Sequence, residues 1–153
     1  MMANVQTAKD VIEQTKAFHA KLGSFYKELS DKAEKERVKL LLDYMSRHHD
    51  RLAAIMNQSE SDISAHILNT WFMYVHKECD LSPFFSAEIG PDMTTKEVME
   101  ISIDLDKCLL ETYEAMVQND IPEDVREVFQ GLLDMEKREN MKLTKNALRI
   151  ETL

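Results

Sequence analysis

Three glycines and three prolines are all the punctuation in a chain of 153 residues. Antiparallel sandwiches and barrels spend such residues on frequent tight turns, so the chain is expected to build long helices instead. Hydrophobic residues make up 44% and charged residues 31%, enough apolar material to bury a core and too much for a disordered chain. At this length one domain, residues 1–153, is expected.

From about Ala8 to Ala33, the residues Ile12, Thr15, His19, Leu22, Tyr26, Leu29 and Ala33 recur at alternating three- and four-residue steps, the seam of a bundle helix. The polar stretch Ser30 to Lys35 is a short turn, so the next seam, Val38, Leu41, Met45, His48, Leu52 and Ile55, belongs to an antiparallel neighbour. Thr94 followed by Glu97 is a capping-box signature, and a third seam follows it through Met99, Ser102, Asp106, Leu109, Tyr113 and Met116. Beyond a turn at Asn119 to Asp124 that contains Pro122, a fourth seam runs Val125, Phe129, Leu132, Glu136, Glu139 and Leu143, then less cleanly Asn146 and Ile150. Residues 59–93 form a long crossover, with a helix predicted from about Ile63 to Lys77 and a loop from Asp80 to Met93 punctuated by Pro83, Gly90 and Pro91. The fold class is therefore all-α: an antiparallel four-helix bundle with a long crossover containing an extra helix between helices 2 and 3.

Net charge is -9, which repels polyphosphate and argues against a nucleic-acid partner. Cys79 and Cys108 have no paired spacing, and a chain this size folds without a disulfide, which points to a reducing compartment. Met1 to Asp10 has neither a basic nor an apolar leader region, and no apolar run approaches the ~18 residues that span a bilayer. A cytoplasmic protein with no membrane partner is expected. No Gly-rich phosphate loop, nucleophile elbow or Cys-x-x-Cys pair is present in the sequence.

Ionisable residues interrupt every seam. His19, His48, Asp106, Glu136 and Glu139 occupy positions where a bundle normally places Leu or Ile, and unpaired charges there are costly. Packing the hairpins with both turns at one end brings the interruptions into one layer. Carboxylates and imidazoles on facing helices are how a bundle builds a metal site, and Glu136 and Glu139 at i and i+3 project from one face. The hairpins also resemble each other, because Leu41, Leu42, Asp43, Arg47 and Leu52 recur at the same spacing as Leu132, Leu133, Asp134, Arg138 and Leu143. His19 precedes Tyr26 by seven residues, as Asp106 precedes Tyr113.

On these residues the four bundle helices resemble the ferritin-like superfamily, especially its rubrerythrin-like branch. Members carry a Glu ahead of a Tyr on the first helix of each hairpin and Glu-x-x-His on the second. His19 and Asp106 stand at the first-helix Glu positions, and Met45-x-x-His48 and Glu136-x-x-Glu139 stand at the two Glu-x-x-His positions. Only His48 and Glu136 match residue for residue. The resemblance implies a metal-binding bundle with His19, His48, Asp106, Glu136 and Glu139 as ligands of iron or manganese. It leaves open whether the ion is redox-active. Met45 replaces a carboxylate that would bridge two irons, so one ion rather than two is expected.

A second reading stays open: a non-catalytic interaction bundle whose polar layer pairs internally without metal. His49 lies one step off the seam and is expected to be half-exposed, although a register change of one residue would exchange it with His48. His76 and Cys79 at i and i+3 lack companions for a zinc site, and His66 is a lone crossover histidine. Trp71, Phe72, Tyr74, Phe84 and Phe85 concentrate in the crossover, either as a homodimer patch or as a cover for the bundle.

Overall fold

Helix formation begins where the sequence supplies a cap. The Thr7 hydroxyl accepts from the Asp10 N–H while the Asp10 carboxylate accepts from the Thr7 N–H, and α1 (Ala8–Lys32) starts there. Such reciprocal bonds satisfy amides that have no partner inside the helix. Thr94 and Glu97 form the expected box ahead of α4 (Thr95–Gln118). The other long helices are α2 (Glu36–Asp62) and α5 (Glu123–Glu151), the latter with Glu123 and Asp124 in its first turn, where the helix dipole favours acids. This computed structural model describes residues 3–75 and 90–152. The helices α1 and α2 pack as one antiparallel pair, α4 and α5 as another, and α2 faces both members of the second pair.

The two turns lie at opposite ends of the bundle, not at the same end. Ala33, at the first turn, packs with Met93, Val98, Leu143 and Ala147, and the Glu34 N–H donates to the Pro91 carbonyl. Ile121, at the second turn, belongs to the same part of the core as Ala8, Val11 and Phe72, and the neighbouring Asn119 side-chain amide donates to the Met73 carbonyl. The crossover must therefore return along the bundle, which makes α2 and α4 parallel.

The crossover also departs from the predicted helix over Ile63 to Lys77. Among the described residues of that stretch only Ala65–Leu68 is helical (α3), and Trp71–Val75 forms a strand, β2, paired antiparallel with β1 (Ala3–Thr7) in the register Thr7↔Trp71, Val5↔Met73. Five consecutive apolar residues carry no helical period, and their aromatic and β-branched side chains suit a pleated surface. Phe72 is 7% exposed and packs into the core, whereas its neighbours Trp71 at 64% and Met73 at 62% face outward with Val5. Phe84, Phe85, His76, Cys79 and the loop from Asp80 to residue 89 lie outside the described residues.

The core has two apolar halves. One contains Leu22, Tyr26, Leu41, Met45, Leu105 and Leu143, and the other contains Ile12, Met56, Leu109, Tyr113, Phe129 and Leu133. The seams hold with small shifts that follow from 3.6 rather than 3.5 residues per turn: Met56 rather than Ile55 is buried in α2, and Val98 rather than Met99 in α4. Cys108 is disulfide-bonded, contrary to the expectation of unpaired cysteines. Spacing along a chain does not determine which sulfurs folding brings together, so the basis for expecting a reducing compartment is removed. Among the described residues, no helix is long and apolar enough to cross a membrane.

Candidate metal centre

His19, His49, Asp106 and Glu136 sit at the middle of α1, α2, α4 and α5. Residues at helix midpoints meet whichever way the hairpins are stacked, so the polar layer forms even though the turns lie at opposite ends. It divides the two apolar halves.

The shortest contact in the layer joins His19 Nε2 to Glu136 Oε1 at 2.6 Å, between side chains that are both buried. His19 Nδ1 lies 3.0 Å from His49 Nδ1. Two ring nitrogens at that distance share one proton between them. Burial holds the His49 imidazole well below its usual pKa, helped by His19 and His48, so His49 is neutral and bears a single N–H. With that hydrogen on Nδ1, His49 donates to His19 and His19 Nε2–H donates to Glu136, an assignment made from the network. His49 Nε2 is then a buried lone pair, and it has no hydrogen-bond partner among the described residues. His49 also stacks between His19, at 5.2 Å, and Tyr26, at 5.5 Å.

The sequence reading missed His49: it is buried, not half-exposed. A signal existed, because Leu42, Met45, His49, Leu52 and Met56 form a second seam of α2. Both seams are buried because α2 has neighbours on two sides.

Asp106 is buried and accepts no hydrogen bond among the described residues. Burial and the charge of Glu136 push its carboxyl up to about 7. The tyrosines that follow the first-helix positions cross over. The Tyr26 phenol lies beside Ser102 and Asp106, and the Tyr113 phenol lies beside Thr15 and Glu136. Ser102 and Thr15 each stand one turn ahead of Asp106 and His19, so the duplication seen in the sequence is a two-fold relation in space.

His48 and Glu139 face a different environment. Arg51 donates to Glu139 Oε2 at 2.9 Å, Lys142 donates to Oε1 at 3.5 Å, and Arg51 approaches His48 Nδ1 at 3.5 Å. Burial pushes the Glu139 carboxyl up, but the Arg51 and Lys142 cations outweigh it and hold the group below its usual value. Burial, then the Arg51 charge, lowers His48 to about 4. His48 Nε2 is buried without a hydrogen-bond partner among the described residues.

Of the five residues singled out in the sequence, His19 contacts Glu136 and Asp106 feels the Glu136 charge, whereas His48 and Glu139 are each approached by Arg51. No three His, Cys, Asp or Glu side chains converge tightly enough to hold an ion among the described residues. A pair of bridged ions does not fit the donor set: Met45 is fully buried in the apolar core where a second bridging carboxylate would stand, and Glu139 is already engaged by two cations. Beside Glu136, the Nε2 of His49, unpartnered among the described residues, is a lone pair in the assigned tautomer, whereas His48 accepts from Arg51 at Nδ1 and carries its hydrogen on Nε2.

No protein-family model and no curated protein matches the chain. Among solved structures, the chain is similar to a candidate ferritin-like diiron-carboxylate protein from Thermotoga maritima, with a TM-score of 0.62 and 19% identity, over 92% of this chain and 93% of that one. The chain has a ferritin-like fold.

Proposed function

We propose that the polar layer binds one divalent ion, iron or manganese, with His19, Asp106 and Glu136 as its ligands. The observation that supports this reading is Asp106, a buried carboxyl that accepts no hydrogen bond among the described residues and feels the charge of a second buried carboxylate, Glu136. A cation shared by Asp106 and Glu136 offsets both charges, and carboxylate oxygen with neutral imidazole is a donor set that these metals take. Binding requires Asp106 to turn toward the His19–Glu136 pair. With His19 Nε2 on the ion, the His19 hydrogen moves to Nδ1 and is donated to His49 Nδ1, so His49 carries its own hydrogen on Nε2 and orients His19 from outside the ligand set. His48 and Glu139 take part only where Arg51 releases them. The likeness to a candidate diiron-carboxylate protein favours iron. When bound with open positions, either metal supplies one-electron redox chemistry.

Metal analysis of protein purified without chelator tests the proposal. At most about one ion per chain is expected, and Asp106→Leu should lower the metal affinity. Full metal content in Asp106→Leu removes Asp106 from the ligand set.

The second reading, a metal-free interaction bundle, is favoured by the internal pairing of His19 with Glu136 and of Glu139 with Arg51. The outward face of Val5, Trp71 and Met73 then serves a partner or a second copy. Protein without metal, whose melting temperature is unchanged by chelator, supports this reading instead.

A further inference from the structure

Glu139 is one of two acidic side chains that α5 contributes to the layer, yet its surroundings are opposite to those of Glu136. Glu136 meets a buried imidazole. Glu139 meets two cationic side chains that enter from solvent, Arg51 with 52% of its side chain exposed and Lys142 with 65%. Arg51 stands one turn beyond His48 on α2, so one guanidinium reaches both His48 Nδ1 and Glu139 Oε2. A guanidinium is permanently charged and presents several N–H donors in a plane. It therefore neutralises a carboxylate as a metal ion does, but without vacant coordination positions.

We propose that Arg51 is the resident cation of the His48–Glu139 corner and closes that corner to divalent metal. The layer is then unequal by construction, with one half neutralised from within the chain and the other, at Asp106 and Glu136, left for an ion. The inference rests on reading the layer as a cation site. Arg51 is a positioning residue: it fixes Glu139 and limits how many ions the bundle admits. Lys142, on the other oxygen of Glu139, reinforces it.

The test is cobalt(II) binding to the full chain, followed by calorimetric stoichiometry and by the visible absorption of the bound metal. Arg51→Met, a change at a half-exposed position, is expected to bind one more cobalt ion per chain than the parent. Arg51→Lys, which restores a cation, is expected to bind no more than the parent. Arg51→Met combined with Glu139→Gln should lose the gain. An unchanged count in both Arg51→Met and Arg51→Gln overturns the proposal, and so does a gain that survives Glu139→Gln. The increment is measured against the parent whatever the parent holds, so a metal-free parent refutes the single-ion reading while leaving this comparison decisive.

Discussion

His19 and Glu136 join α1 to α5 through a 2.6 Å contact at the middle of both helices, with neither side chain open to solvent. Removing one member of a buried pair leaves the other unsatisfied at a cost of ~3–5 kcal/mol, whereas replacing both with apolar residues is often neutral or stabilising. Glu136→Ala in chelator-treated protein should therefore lose stability on that scale. His19→Leu with Glu136→Leu should lose far less. Urea denaturation of the three proteins checks this, and a double variant as unstable as Glu136→Ala would contradict it.

Asp106 gives the metal-free protein a pH dependence of definite sign. Its folded pKa, about 7, lies above the usual 3.8, so its contribution is fully present below about pH 4 and is lost as pH rises through 7. His48 works oppositely: its folded pKa, about 4 against the usual 6.5, gives a contribution present above pH 6.5 and lost as pH falls through 4. Comparing the parent with Asp106→Asn isolates the first effect. The parent should gain stability relative to the variant as pH falls from 7 to 4, and denaturation curves across that range measure the difference.

The seams were legible because three- and four-residue steps of apolar side chains admit one helical face, and the ionisable residues on them stood out for the same reason. Both hairpins and the burial of His19, His48, Asp106, Glu136 and Glu139 follow from that alone. The strand Trp71–Val75 was not legible, since five apolar residues in a row have no period and its partner, Ala3–Thr7, lies far away in sequence. His49 was obscured because α2 buries two adjacent stripes. Arg51 and Lys142 sit on exposed positions, and only their length carries them back to Glu139.

Alternation along β2 separates two neighbours energetically. Phe72 is core and Trp71 is not, so Phe72→Ala should cost ~3–5 kcal/mol. Trp71→Ala and Met73→Ala should each stay within ~0.5 kcal/mol. Thermal denaturation of the three variants distinguishes this from a helical crossover, in which the loss would follow a different spacing.

Thiol counting tests the state of Cys108. Protein unfolded without reductant should show fewer reactive thiols than its two cysteines would give, and the full count should appear after reduction. A full count before reduction would show Cys108 to be free.

The pairing of β1 with β2 sets an order of assembly. Each helical hairpin closes over a turn of a few residues, while the sheet joins the start of the chain to its middle. Closing the longer loop carries the larger entropic cost, and non-local contacts form slowly. Each hairpin is therefore expected to close before the sheet pairs. Thr7 pairs with Trp71 and also caps α1, so fraying of the first strand reaches the start of the first helix and the crossover together.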